Sequence, residues 1–361
     1  MPRHKRSKKD VSLKKITNEE LEVLEDWVPI ALGDKLQNGQ YEILRKFGDG
    51  LDGTIWLVRD HNAENGNRYK TMKILGAYGM ACLEERAAFE PDIWRGIRRS
   101  SPKSVLPVPI VKKVISDFID ALAKLHQLGI VHTDFKPINL LLKIDNSNEA
   151  VEKFLEETPV EFEGEYSIGK KTYQIFKKQP IREYPKAPEN IESYLIDFGR
   201  AQFLNNKEFE IIDQEYWGAV ALRSPETILE SSFGPEIDIW TVGCIAFELP
   251  VGRWLFDPKE TEEYSLEDEH FVRMMQFTGE QFKMSMLRDG KNTHRYFNED
   301  GTKRTVRELE YYSIEMALSA YNVMPEDEFE PAADFIRTCI HLDPKDRPTA
   351  EELREHPWLK G

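Results

Sequence analysis

Apolar and polar residues alternate over three short stretches in the first quarter of the chain. This period of two predicts strands at 41–47, 54–58 and 69–75. Ahead of them, Thr17 followed by Glu20 has the spacing of a capping box and predicts a short helix to about Trp27. Residues 80–104 lack strand alternation, and their Glu/Arg/Ala content reads as one helix with a Pro/Ser exit. A further helix starts near Pro109 and carries Phe118, Leu122 and Leu125 on its apolar face. Two apolar runs of strand length follow, at 140–142 and 194–196, and an amphipathic helix is predicted around 238–243. Between the two runs, 144–192 is rich in Glu and Lys with scattered prolines. It reads as a surface insertion with little core of its own.

The candidate chemistry sits where these elements meet. Residues 130–142 read Ile-Val-His-Thr-Asp-Phe-Lys-Pro-Ile-Asn-Leu-Leu-Leu, so one short loop sets Asp134, Lys136 and Asn139 between a helix and a strand. Phosphoryl transfer needs that set: a carboxylate to orient a hydroxyl, a cation near the moving phosphate, and an oxygen ligand for Mg²⁺. Gly48-Asp-Gly50-Leu-Asp-Gly53 joins the first two strands. A dinucleotide site would require a helix next, whereas a β-branched, aromatic strand follows, which favours a glycine hairpin folded over phosphates. Lys73 ends the third strand, placed to reach phosphates, and Asp197 ends the strand at 194–196 as a direct Mg²⁺ ligand candidate. Ser224-Pro-Glu226, Asp238 and Arg347 come later in the chain.

With 361 residues and 40% hydrophobic content, the chain can bury one bilobal core or two ordinary ones. No apolar run approaches a membrane span and no signal-peptide core opens the sequence, so no membrane association is expected. Cys82, Cys244 and Cys339 have neither pairing nor ligand spacing, and a reduced protein, cytoplasmic and/or nuclear, is the expectation. The net charge of −15 is uneven: residues 1–15 hold seven Lys/Arg against Asp10, giving +6, so the remainder carries −21. The first fifteen residues read as a basic, structureless tail. A polyanionic body disfavours nucleic acid and favours basic partners.

In this order, the motifs resemble those of the eukaryotic protein kinases from about Leu32 to Leu359. His-Thr-Asp, the long insertion before Asp-Phe-Gly, and Leu-Arg-Ser-Pro-Glu are similar to the SR-protein kinase branch. Asp300-Gly301 and the His-Pro-Trp-Leu ending at Leu359 are similar to its fungal-type variants. The resemblance implies an α+β, bilobal protein-kinase-like fold: a tail and short helix at 1–31, a shortened β-rich N-lobe at 32–104, and a mainly helical C-lobe at 105–361 with the insertion at 144–192. It implies ATP and Mg²⁺ as cofactors, and a Ser/Thr kinase acting, as a monomer, on basic, Arg/Ser-containing proteins.

Carried over by position, Asp134 is the catalytic base and Lys136 the cation at the γ-phosphate. Asn139 and Asp197 hold metal. Lys73 holds the α- and β-phosphates under Gly48, Gly50 and Gly53, and Thr71 lies at the floor of the adenine pocket. Glu226 pairs with Arg347, and Asp238 braces the catalytic loop. Thr133 stands where regulated kinases place a phosphate-gripping arginine. The only hydroxyls between Gly199 and Glu226 are Tyr216 and Ser224. Activity gated by phosphorylation of that segment is therefore not expected. The acidic run at 260–269 is a candidate docking face for arginine-rich peptides.

One shortfall sets up a rival reading. Residues 74–108 offer 35 positions, whereas a helix, two strands, a hinge and a further helix need roughly 50–60. The helix is kept, with Glu85 or Glu90 as partner of Lys73, and two strands and the adenine-binding hinge are deleted or replaced. A catalytically impaired scaffold is the alternative to an active kinase.

Overall fold

The computed structural model describes residues 14–15, 29–49, 53–63, 68–75, 89–90, 94–96, 106–143, 147–168, 171–179, 193–204, 219–305 and 309–360. The chain divides into two compact units, one of residues 1–95 and 143–184, the other of 96–142 and 185–361.

The first unit is built on an antiparallel sheet of β2 (Lys35–Leu36), β3 (Tyr41–Asp49), β4 (Gly53–Asp60), β5 (Tyr69–Leu75) and β6 (Phe89–Glu90), in that order. The three long strands form where the alternation predicts them, and each face is apolar. Tyr41, Ile43, Trp56, Val58 and Met72 cluster on one side, and Phe47, Leu57 and Tyr69 on the other. A sheet with two apolar faces must be covered twice, and the insertion covers both.

Helix α2 (Asn148–Glu157) opens on Ser147, whose hydroxyl accepts from the Ala150 amide at 3.2 Å. It packs Val151, Phe154 and Leu155 against Phe47, Leu57 and Tyr69. The hairpin of β10 (Phe162–Ile168) and β11 (Lys171–Phe176) sends Phe176 to the opposite face, edge-on to Trp56 at 5.8 Å. Asn148 Oδ1 accepts from the Arg68 amide at 2.9 Å, and Arg45, buried beneath α2, donates to the Leu155 carbonyl at 3.4 Å. The segment expected within the C-lobe therefore belongs with the N-terminal sheet, because its few apolar side chains are spent there.

Other sequence expectations change as well. Lys14–Lys15 is not structureless: it forms β1, parallel to β10, with Lys14 opposite Gly164 and Lys15 opposite Glu165. Within 80–104 the described residues are extended, as β6 and as β7 (Trp94–Gly96), rather than helical. β6 pairs with β5, Thr71 opposite Glu90 and Met72 opposite Phe89, and so satisfies an edge that helix propensity alone would leave open. The expected helix at 17–27 lies outside the described residues.

The second unit is mainly helical. Its first helix, α1 (Val108–Gln127), follows Pro107 and buries Val111, Val114, Phe118 and Leu122 along one stripe. Farther on come α3 (Pro225–Leu229), α4 (Glu236–Val251), α5 (Leu266–Thr278), α6 (Ile314–Tyr321) and α7 (Phe329–Cys339). The predicted amphipathic helix at 238–243 is instead buried on all faces, as the central element of a helical layer must be. Gly243 allows α7 to approach: a Cβ there would lie 2.6 Å from that of Cys339. Two small antiparallel pairs frame the loop at 132–139. They are β8 (Ile130–Val131) with β13 (Gln202–Phe203), and β9 (Leu140–Lys143) with β12 (Ser193–Leu195). Among the described residues no helix is long and apolar enough to cross a membrane.

Candidate active site

The loop between β8 and β9 is held from beneath by one buried carboxylate. Asp238, at the start of α4, accepts the His132 amide on Oδ2 at 2.9 Å and the Thr133 amide on Oδ1 at 3.0 Å. His126 Nε2, from the end of α1, meets Oδ2 at 3.0 Å. Phe135 anchors the loop through its ring, edge-on to Phe118 at 5.4 Å. With the backbone pinned, Asp134 is 6% exposed and takes Lys136 Nζ on Oδ2 at 2.5 Å.

Asn139 ends the loop in a 3₁₀ turn (Pro137–Asn139), and its side-chain nitrogen donates to the Asp134 carbonyl at 2.9 Å. That bond leaves the amide oxygen as the free acceptor. The Asn139 carbonyl takes the Ile196 amide at 3.0 Å, so Asp197 follows the residue bonded to Asn139. Asp197 has φ +68° and so turns sharply out of its strand. An amide oxygen and a carboxylate on adjoining strand ends form a donor set that suits a hard cation such as Mg²⁺. Asp134, Lys136, Asn139 and Asp197 are thus gathered by one backbone frame.

A small, open recess lies beside Asp134, lined by Thr133, Phe135, Ala219, Leu222, Arg223 and Thr227 among others. Ala219, where many Ser/Thr kinases carry threonine, contributes no hydroxyl to it. Behind the short helix that supplies Thr227 lies an ion pair: Arg347 Nη1 and Nη2 reach Glu226 Oε1 and Oε2 at 2.6 and 2.9 Å, with both side chains essentially sealed from water. The same guanidinium donates to the His341 and Glu236 carbonyls and lies over the Trp240 ring at 5.0 Å. A buried charge pair endures when its remaining donors are satisfied in this way.

The acidic run at 260–269 divides. Glu260, Glu262 and Glu263 are exposed, whereas Glu269 is tied to Arg273, and Asp268 to the buried Lys303. The Lys303 ammonium lies 5.0 Å from the Phe297 ring and 5.3 Å from the Phe271 ring. His270, which no sequence motif marks, is fully buried on α5. Burial, with the Arg223 and Arg273 charges next, pushes its pKa down to about 3, and neither ring nitrogen has a partner among the described residues.

In the first unit, Gly48 pairs with Ile55 and Ile55 with Lys73, which places the three on one row. Two strand spacings separate Gly48 from Lys73, roughly 10 Å. Gly53 opens β4, while Gly50 and Glu85 lie outside the described residues. Glu90 stands on β6 opposite Thr71. Paired and alternate residues share a face, so Lys73, Ile55, Thr71, Leu57 and Tyr69 point the same way, which is the face α2 covers. Lys73 is exposed at the glycine end. Thr71 is 6% exposed, and its hydroxyl has no hydrogen-bond partner among the described residues.

Residues 187–359 match the protein kinase domain family. The chain is 33% identical to serine/threonine-protein kinase SKY1 of Saccharomyces cerevisiae over 178 residues, 48% of this chain but 23% of SKY1. Serine/threonine-protein kinase SRPK of Physarum polycephalum is 23% identical, with 92% of this chain and 88% of that protein covered. The chain is thus similar to named members of the SR-protein kinase branch. Human SRSF protein kinase 3 is 26% identical over 48% of this chain and 30% of its own length. A crystallographic kinase domain with 20% identity superposes at a TM-score of 0.63 over 93% of this chain and 99% of its own, which shows the α+β kinase fold.

Proposed function

We propose that the protein is a Ser/Thr protein kinase that transfers the γ-phosphoryl group of Mg-ATP to hydroxyls in basic, Arg/Ser-containing proteins. The observation that carries this reading is the frame around Asp134, in which Lys136 bonds its carboxylate, Asn139 its carbonyl, and the strand leading to Asp197 bonds Asn139. The Asp134 carboxylate orients a substrate hydroxyl seated in the adjoining recess and accepts its proton. Lys136, bonded to that carboxylate, keeps positive charge at the site of transfer. Asn139 Oδ1 and the Asp197 carboxylate would hold Mg²⁺, and Lys73 with the glycine hairpin would hold the phosphates. Mg-ATP, when bound, supplies the phosphoryl group and the charge neutralisation. Rate then comes from positioning and electrostatics, with no covalent intermediate on the protein. The exposed glutamates at 260, 262 and 263 suit arginine-rich substrates, and the names of SRSF protein kinase 3 and SRPK agree with that class.

Radiolabel transfer from ATP to an Arg/Ser-repeat peptide tests this, with Asp134→Asn as the control. Transfer by the natural chain that vanishes in the variant supports the proposal, and equal incorporation by both would refute it.

One observation favours a second reading. Helix α2 lies on the sheet face that carries Thr71 and Lys73, where the resemblance puts the base of the nucleotide. If α2 stays there, the protein is a non-catalytic binding partner of kinase descent. A Mg-ATP thermal shift separates the two: no stabilisation at millimolar nucleotide favours the scaffold.

A further inference from the structure

We propose that the Thr133 hydroxyl is a positioning group that holds Asp197 in its metal-facing place. This rests on reading Asp197 as a metal ligand. Thr133 has φ +64°, a left-handed backbone that β-branched residues rarely adopt. Such strain persists only where the surroundings fix it, and it gathers at functional sites. Here the Thr133 amide is held by Asp238 Oδ1 at 3.0 Å, and Oγ1 donates to the Arg200 carbonyl at 2.8 Å.

His132, one residue earlier, meets the Ile196 carbonyl through Nε2 at 3.1 Å. Consecutive loop residues thus grip the chain on both sides of Asp197, at 196 and at 200. Beyond that grip, Gln202 pairs with Val131, and the Leu204 amide donates to the Gly129 carbonyl at 2.8 Å. Thr133 is half-buried, so water would satisfy its hydroxyl if the Arg200 bond were absent. Burial therefore does not force the bond.

Three full-chain variants test the latch: Thr133→Val, which keeps shape and branching without the hydroxyl; Thr133→Ser, which keeps the hydroxyl; and Thr133→Gly, which removes both hydroxyl and strain. Two readouts apply, amide hydrogen exchange across 196–204 and the Mg²⁺ concentration needed for nucleotide binding. Val and Gly are expected to exchange about 3–10-fold faster and to need about that much more Mg²⁺, the effect of one neutral hydrogen bond, while Ser matches the natural chain. Overturning results are Val exchanging like the natural chain, or Ser failing as Val does. A natural chain that binds no nucleotide would remove the kinase reading, and the exchange comparison would still decide the role of Thr133.

Discussion

The helical unit and the sheet unit secure their polar residues in different ways. In the helical unit buried charges hold the backbone: Asp238 beneath the loop around Asp134, and Arg347, paired with Glu226, on the His341 and Glu236 carbonyls. In the sheet unit Lys73 and the glycine hairpin ride on apolar packing, with α2 on one face and Phe176 on the other. Buried hydrogen bonds fix direction as well as distance, whereas apolar contacts fix only proximity. Under the proposed reading, the groups for transfer are held by directed bonds in one unit, and in the other nucleotide access would depend on what the inserted helix does.

Substitutions that sharpen this contrast can be ranked by size. Asp197→Asn should cut phosphoryl transfer by about 10²–10⁴-fold, the range for losing a catalytic group, with no matching loss of melting temperature. Comparing initial rates with calorimetry checks it, and an unfolded variant would deny that the frame stands without the carboxylate. Arg347→Ala leaves Glu226 charged and sealed, and should cost about 3–5 kcal/mol in urea unfolding, with loss confined to the helical unit.

His270 adds a pH dependence to the same unit. Its folded pKa lies below its unfolded value of 6.5, so the unfolded chain takes up the proton first as pH falls. Stability is full above about 6.5 and should decline by about 1.4 kcal/mol per pH unit toward about pH 3. His270→Phe should flatten that slope in urea midpoints measured across about pH 4–7.

On the sheet side, Val151→Ala should cost about 2 kcal/mol through loss of packing under α2. It should also tighten Mg-nucleotide binding if α2 covers the base face, and weaken it if α2 itself supports the bound nucleotide. Titration calorimetry distinguishes these. The smallest effect is expected at β1, where Lys14→Glu with Lys15→Glu should change stability by less than about 1 kcal/mol.

Much of this was legible in the sequence. The strands at 41–47, 54–58 and 69–75 and the loop residues Asp134, Lys136 and Asn139 follow from alternation and local spacing, and the Glu226–Arg347 pair is what the kinase resemblance implied. The place of the insertion was harder to read. Val151, Phe154 and Leu155 have the i, i+3, i+4 spacing of a buried helix face, yet the surrounding Glu and Lys mask it, and nothing local says which surface they seek. His270 gives no signal because a lone histidine among acids and aromatics reads as surface.

By itself the sequence determined which groups can act, since residue type and local spacing suffice to place a carboxylate, an amine and an amide in one loop. Tertiary structure alone decided how they are held and what covers them. The left-handed turn at Thr133, the bond from its hydroxyl to Arg200 and the burial of Thr71 beneath α2 all join residues far apart in the chain. No local pattern encodes such meetings, because they form only when the packed surfaces of distant segments come together.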